Sequence, residues 1–299
     1  MALVPFDDRD GMIWWNGQLR PWRDAKLHVL SHGLHYGSAV FEGERAYGGN
    51  IFKLTEHSER LKNSAAILGY DVPWTVAQID EACRATLAAN NLTDAYIRPI
   101  AWRGSEQLAV SAKLTSINLA IAVWAWPNLF GADRMKGVRL GLAAWRRPHP
   151  ETAPTASKAA GLYMIGTMSK HKAEDEGFDD ALMLDWRGQV AEATGANIFF
   201  VINGELHTPT PDCFLDGITR RTVMGIARRH GIKVVERVIL PEEMATASEV
   251  FLAGTAAEVT PVRQIGALSF APGPVTERLL RDYEALVQMS PEKVAALAA

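Results

Sequence analysis

The first regular pattern along the chain has a period of two. Residues 12–15 and 18–20 flank Asn16-Gly17, a dipeptide that supplies the positive φ angles of a two-residue turn, so a β-hairpin is expected at the start. The period then changes to that of a helix. Over residues 55–68, Leu61, Ala65 and Leu68 form one apolar stripe, Glu56 and Glu59 sit in the first turn, and Thr55 stands at the cap. A second helix is predicted over 76–89, entered through a Thr75/Gln78 capping box. Residues 96–102 alternate like a strand, which puts Tyr96 and Arg98 on one face, and Pro99 implies an edge or a bulge. Residues 117–126 are almost continuously apolar and predict a buried strand.

At residues 127–137 the apolar pattern stops and Pro, Asn, Asp, Arg and Gly take over. This is the expected boundary between a small N-terminal domain, 1–126, and a larger C-terminal domain, 138–299, joined by a loop at 127–137. The second half holds predicted strands at 138–144, 181–185, 232–239 and 249–254, the segment AEATGANIFFV, and a hairpin at Asn203-Gly204. Helices are expected from Leu162 to a stop at Gly177, over 216–230, and over 273–288 with Leu279, Leu280, Tyr283 and Leu286 inward. Strands and helices mixed without regular alternation favour an α+β class over a doubly wound parallel sheet.

Composition narrows the setting. A length of 299 residues with 48% hydrophobic and 22% charged residues fits a soluble two-domain protein. A net charge of −3 gives no reason to expect a nucleic-acid or membrane partner. Cys83 and Cys213 make no disulfide framework, and no Cys/His cluster has metal-ligand spacing, so no metal is predicted. The start of the chain lacks a signal-peptide pattern and the apolar run 119–126 is too short to span a membrane, which predicts a cytoplasmic protein.

Candidate chemistry centres on Lys158 in the run TAPTASKAAGLY. Ser157, Ala159, Ala160 and Gly161 leave its amine approachable; it is either a solvated loop lysine or a desolvated nucleophile able to form a Schiff base. Gly217-Ile218-Thr219 opens a helix, whose free N–H groups suit a phosphate or simply start the helix well. Gly254-Thr255-Ala256-Ala257 follows an apolar strand and is either an anion-binding nest or a tight turn. Glu192 lies in a segment that reads as buried, so it needs a partner: an arginine, or a protonated ring nitrogen. The run SHGLHYGSAVFEGER, residues 31–45, suits the wall of a ligand pocket. Together these features match the needs of pyridoxal phosphate.

The motifs SHGLHYGSAVFEGER, YIRP, SKAAGLY, EATGANIFFV, LDGITR and GTAAEVTPV, in that order, resemble the fold-type IV pyridoxal-phosphate enzymes, most closely the branched-chain amino-acid aminotransferases. The resemblance implies an N-terminal α/β domain, a C-terminal distorted β-barrel domain with helices, and pyridoxal 5′-phosphate between them. It implies that Lys158 is the Schiff-base lysine, Glu192 the partner of the pyridine nitrogen, and Tyr163 the partner of the phenolic oxygen. Arg60, Ile218, Thr219 and Thr255 match the phosphate cup; Thr255, Ala256 and Tyr96 match the α-carboxylate site; Tyr36, Phe41, Gly43, Arg45 and Arg98 match the pocket wall. The implied reaction is ping-pong transamination between leucine, isoleucine or valine and 2-oxoglutarate, in a homodimer at minimum, with Tyr36 reaching toward the partner subunit. The segments 104–113 and 126–137 depart from the family pattern where relatives line the substrate pocket. Rival readings within the fold are an (R)-amine or D-amino-acid transaminase and an aminodeoxychorismate lyase.

Overall fold

The structure is a computed structural model that describes residues 4–126, 134–290 and 293–294. The predicted loop at 127–137 falls partly outside the described residues, since 127–133 are not among them. Contacts divide the chain into two units: residues 1–126 together with 157–161, and residues 127–156 together with 162–299.

The first unit contains β1 (Met12–Trp15), β2 (Gln18–Pro21), α1 (His32–Tyr36), β3 (Val40–Phe41), β4 (Glu44–Tyr47), β5 (Asn50–Ile51), α2 (Leu54–Ile67), α3 (Val76–Ala89), β6 (Ala95–Arg103) and β7 (Ile117–Trp124). Its sheet runs β2-β1-β7-β6-β4-β5, with β3 also paired to β6. Leu61 and Ala65 of α2 and Ile79, Cys83 and Leu87 of α3 pack on Val40, Ile97, Leu119 and Ile121 of the sheet. Burying each such Leu or Ile contributes roughly 2 kcal/mol, so the two helical stripes are what fasten α2 in place.

Local signals behave as expected. Asn16 and Gly17 have φ of 49° and 97°, the turn that closes β1 on β2. Thr75 and Gln78 form both bonds of the capping box on α3. Two expectations are corrected. Helix α2 starts at Leu54 behind Lys53, whose φ is 52°, and Thr55 lies inside it; the Thr55 hydroxyl donates to Asp80 Oδ2 on α3 at 2.7 Å instead of capping. Strand β6 is interior, not an edge: it pairs with β7 on one side and with β3 and β4 on the other. Pro99 is accommodated because it faces the break between β3 and β4, where only its carbonyl is used, accepting from the Glu42 N–H at 2.8 Å.

The second unit contains β8 (Val138–Leu142), α4 (Met164–Asp175), β9 (Asp180–Leu184), β10 (Val190–Ala193), β11 (Asn197–Ile202), β12 (Glu205–Pro209), α5 (Ile218–Arg229), β13 (Val234–Arg237), β14 (Glu249–Gly254), β15 (Glu258–Ile265), β16 (Leu268–Ser269) and α6 (Pro274–Val287). Pairing runs β10-β9-β8-β15-β14-β11 and returns from β11 to β10, which closes six strands into a barrel. Strands β12 and β13 extend from β11, and β16 hangs on β15. The interior is filled by Leu140, Leu182, Ile198, Phe200, Leu252 and Val262. The α+β class with a barrel domain is therefore as expected. The AEATGANIFFV segment is two strands, β10 and β11, turning at 194–196. Strand β15 is absent from the predicted strands, because Pro261 and Arg263 interrupt its apolar pattern. Among the described residues, no helix is long and apolar enough to cross a membrane.

Candidate active site

Lys158 lies in the loop before α4, as its small neighbours predict, but it is half-buried and its backbone is pinned on both sides. Its N–H donates to Ser64 Oγ on α2 at 3.0 Å, and its carbonyl accepts from the Phe41 N–H at 3.2 Å. The Lys158 ammonium sits 5.0 Å from the centroid of the Phe41 ring.

Arg60, on α2, grips Glu42 with Nε and Nη2 at 2.7 and 2.8 Å. His57, one turn earlier, is 2.6 Å from the same carboxylate through Nδ1. Burial alone would push the Glu42 carboxyl up; the charge and hydrogen bonds of Arg60, with His57, reverse this and hold it well below the usual carboxylate range. Burial lowers the His57 imidazole despite the carboxylate, and the cations Arg60 and Lys158 lower it further. The ring is thus neutral near pH 7 and carries its proton on Nδ1 as donor to Glu42. Neither Glu42 nor His57 stands out in the sequence. Glu42 lies 15 residues from His57 and 18 from Arg60, and only the packing of α2 beside the β3 end brings the three together.

Tyr96 and Arg98 do share a face of β6: Arg98 Nη2 donates to the Tyr96 hydroxyl at 3.2 Å. The Arg98 guanidinium lies 4.8 Å from the Phe41 ring centroid and 5.2 Å from that of Tyr96, and its Nε is buried with no hydrogen-bond partner among the described residues. Gly43 is required here, since a Cβ would fall 1.9 Å from the Tyr96 hydroxyl. Trp124 and Trp126 stand 5.1 and 5.3 Å from the Tyr96 ring, and Trp126 opens the segment 126–137 that departs from the family pattern. Arg45 is buried on β4 in register with Tyr96 of β6, and its guanidinium lies 5.0 Å from the Tyr47 ring. Tyr36 is exposed at the end of α1, stacked on His32. The first unit therefore brings Lys158, Phe41, Gly43, Arg60, Tyr96 and Arg98 around the β3 end and α2, and leaves Tyr36 outward.

In the second unit Glu192 is buried on β10, and the partner it needs is Arg147, with Nη2 at 2.8 Å from Oε1. Glu192 Oε2 accepts from Asn197 Nδ2 at 3.2 Å, and the same amide donates to the Leu215 carbonyl at 3.0 Å. Asn197 thus ties the Glu192 strand to the loop ahead of α5. Helix α5 follows Gly217, where a Cβ would meet Asn197 Oδ1 at 2.3 Å, and no side chain caps it. Ile218 and Thr219 are buried in its first turn, where N–H groups lack helical partners. Arg220 is fully buried and bonded to Asp216, Glu236 and the Pro209 carbonyl, which fixes the helix start. Thr255 and Ala256 form the half-buried turn between β14 and β15. Tyr163 is the half-buried residue just before α4. Arg147 and Asn197 were missed by sequence reasoning; the need of a buried carboxylate for a cation was the only signal.

Comparisons with known proteins give the family and the fold. A family model described as amino-transferase class IV matches residues 39–265. The chain is 42% identical over 288 residues to a branched-chain-amino-acid aminotransferase of Pseudomonas aeruginosa, covering 94% of each chain. Its fold is similar to the branched-chain aminotransferase of Thermoproteus uzoniensis with norvaline, at a TM-score of 0.92 and 37% identity, covering 97% of this chain and 98% of that one. It is similar also to a T.th. branched-chain amino acid aminotransferase complexed with N-(5′-phosphopyridoxyl)-L-glutamate, at a TM-score of 0.90 and 38% identity, covering 95% and 96%.

Proposed function

Because the chain belongs to the class IV amino-transferases, we propose that it transfers amino groups between branched-chain L-amino acids (leucine, isoleucine, valine) and 2-oxoglutarate, with pyridoxal 5′-phosphate as cofactor. The observation that carries the substrate reading is Arg98. One guanidinium with a buried, unpartnered Nε stands among the rings of Phe41 and Tyr96. Such a wall takes an aliphatic side chain, and the cation takes the second carboxylate of glutamate. Norvaline and a glutamate adduct in two structural relatives are one apolar and one acidic substrate side chain of this kind.

The residues present suit the cofactor. The uncapped start of α5 would offer the N–H groups of Ile218 and Thr219 to a phosphate, and the family resemblance gives Arg60 and Thr255 the same role. Bound pyridoxal phosphate supplies a carbonyl that accepts the amino group and a ring that withdraws electrons from the substrate α-carbon. Lys158 is the residue that would hold the cofactor through its amine, and the freed amine would move the proton at the substrate α-carbon. Glu192, its charge balanced by Arg147, would hold a proton on the ring nitrogen, and Tyr163 would donate to the phenolic oxygen. The family resemblance gives the α-carboxylate to the N–H groups of Thr255 and Ala256 and to the Tyr96 hydroxyl. Phe41, Gly43 and Arg45 would shape the pocket, and the outward Tyr36 would reach toward that of the partner subunit.

The working unit is a homodimer in the cytoplasm. Its support is a set of exposed apolar side chains on the first unit: Val29 and Leu34 at 66% and 62% exposure, and Val110 and Leu114 at 87% and 76%. His32 Nε2, 2.9 Å from the Ala109 carbonyl, links the two stretches, and Tyr36 stands beside them. Exposed clusters of this kind mark association surfaces.

The test is single-turnover kinetics with L-leucine, L-glutamate and (R)-1-phenylethylamine. The two L-amino acids are expected to react and the amine not; faster reaction of the amine would overturn the substrate reading. Lys158→Ala is expected to lower turnover by at least ~10³-fold with the fold intact, and borohydride to fix the cofactor to the wild type alone.

A further inference from the structure

Helix α2 carries His57, Arg60 and Ser64 at spacings of three and four, which places them on one face. Ser64 is fully buried and binds the lysine loop twice: its Oγ accepts from the Lys158 N–H at 3.0 Å, and its carbonyl accepts from Ser157 Oγ at 2.9 Å. One turn earlier, Arg60 is clamped by Glu42, and Glu42 is clamped in turn by His57. The chain on the other side closes the loop, because Phe41, next to Glu42, donates its N–H to the Lys158 carbonyl. Lys158 and Arg60 are therefore held by the same two pieces of backbone, one helix and one strand end.

We propose that Ser64 and His57 are positioning residues for the amine and for the guanidinium, so that α2 sets the span between Lys158 and Arg60. The proposal rests on the roles given above to those two residues. A serine hydroxyl in a fully buried helix face is costly unless it is bonded, and here its bond goes to the backbone of the lysine itself. With the backbone fixed, only the lysine side chain has to move when its amine is displaced, and the reacting atoms stay in register. His57, neutral and donating through Nδ1, occupies one oxygen of Glu42 and leaves that carboxylate one orientation in which to grip Arg60 from the side. The two anchors act on different groups, so they separate experimentally.

The experiment compares Ser64→Ala, His57→Leu and His57→Asn with the full-length wild type. In cofactor-free protein, Ser64→Ala is expected to speed hydrogen exchange of the Lys158 amide ~10-fold, the size of one lost hydrogen bond. With cofactor, it should lower kcat of the L-leucine half-reaction ~10-fold, with KM and the pyridoxal phosphate Kd within about threefold. His57→Leu is expected to raise that Kd ~10-fold and leave Lys158 exchange unchanged, and His57→Asn, which keeps a donor near Nδ1, to restore it. Wild-type exchange and kcat in Ser64→Ala would overturn the proposal. So would parallel losses of Kd, kcat and Tm in both variants, the mark of a merely structural role. If Lys158→Ala kept its turnover, the proposal would fall through the functional reading, while the exchange difference would still report the hydrogen bond.

Discussion

Glu44 is the least compensated carboxylate of the first unit. Both of its oxygens are buried without a hydrogen-bond partner among the described residues. Burial first, then Glu42 and Asp80, push its carboxyl well above the usual range, against a smaller opposing effect of Arg60. The folded chain keeps this proton after the unfolded chain has lost it, so stability falls as pH rises from about 4.5 toward the folded value, by up to ~1.4 kcal/mol per pH unit for one proton. Glu44→Gln is expected to remove that slope: in urea unfolding at pH 5 and pH 8, its stability relative to the wild type should rise with pH. A constant difference would mean that Glu44 is already ionised in the fold. Arg98→Leu concerns substrate choice. It should raise KM for glutamate and 2-oxoglutarate by ~10²-fold, if ~3 kcal/mol is lost when a buried carboxylate has no partner. The leucine half-reaction should change far less, and equal losses for both would assign Arg98 to the α-carboxylate or to the fold. Much at this scale was legible in the sequence. Alternation alone paired Tyr96 with Arg98, and the need of Glu192 for a partner was plain. That the partner is Arg147, and that Glu42 is shared by Arg60 and His57, depends on contacts between distant parts of the chain that no local pattern encodes.

At the scale of elements, what the sequence revealed was what is decided locally. The Asn16-Gly17 and Asn203-Gly204 turns, the Thr75/Gln78 box and the span of α3 depend on neighbours within four residues, and all are as expected. Errors arose where a distant element competed. Thr55 has a good capping side chain, but Asp80 on α3 takes its hydroxyl, and the helix begins one residue earlier behind a left-handed lysine. Pro99 reads as a residue of an edge or a bulge, yet the break between β3 and β4 lets it sit inside the sheet. Closure of the barrel was legible only through the family resemblance, because it joins strands such as β8 and β15, where Val138 pairs with Val262.

At the scale of the whole molecule, the exposed apolar side chains of the first unit make association testable. Val110→Glu puts a charge on its most exposed apolar side chain. Sedimentation is expected to show a monomer at concentrations where the wild type is dimeric, with turnover lost together with the dimer; a dimeric variant would place the interface elsewhere. The path of the chain has a separate consequence. Residues 157–161 return to the first unit after the chain has left it at 126, and five residues carry the amine back with them. Neither unit is therefore a portable module. A gene cut in the loop at 127–137 would give one fragment with the serine acceptor and another with the lysine, so recombination between relatives at that seam must exchange matched halves. Swapping one half alone tests whether two lineages have kept the same helix-to-loop fit, and the class IV scaffold is expected to diversify by loop replacement more readily than by domain shuffling.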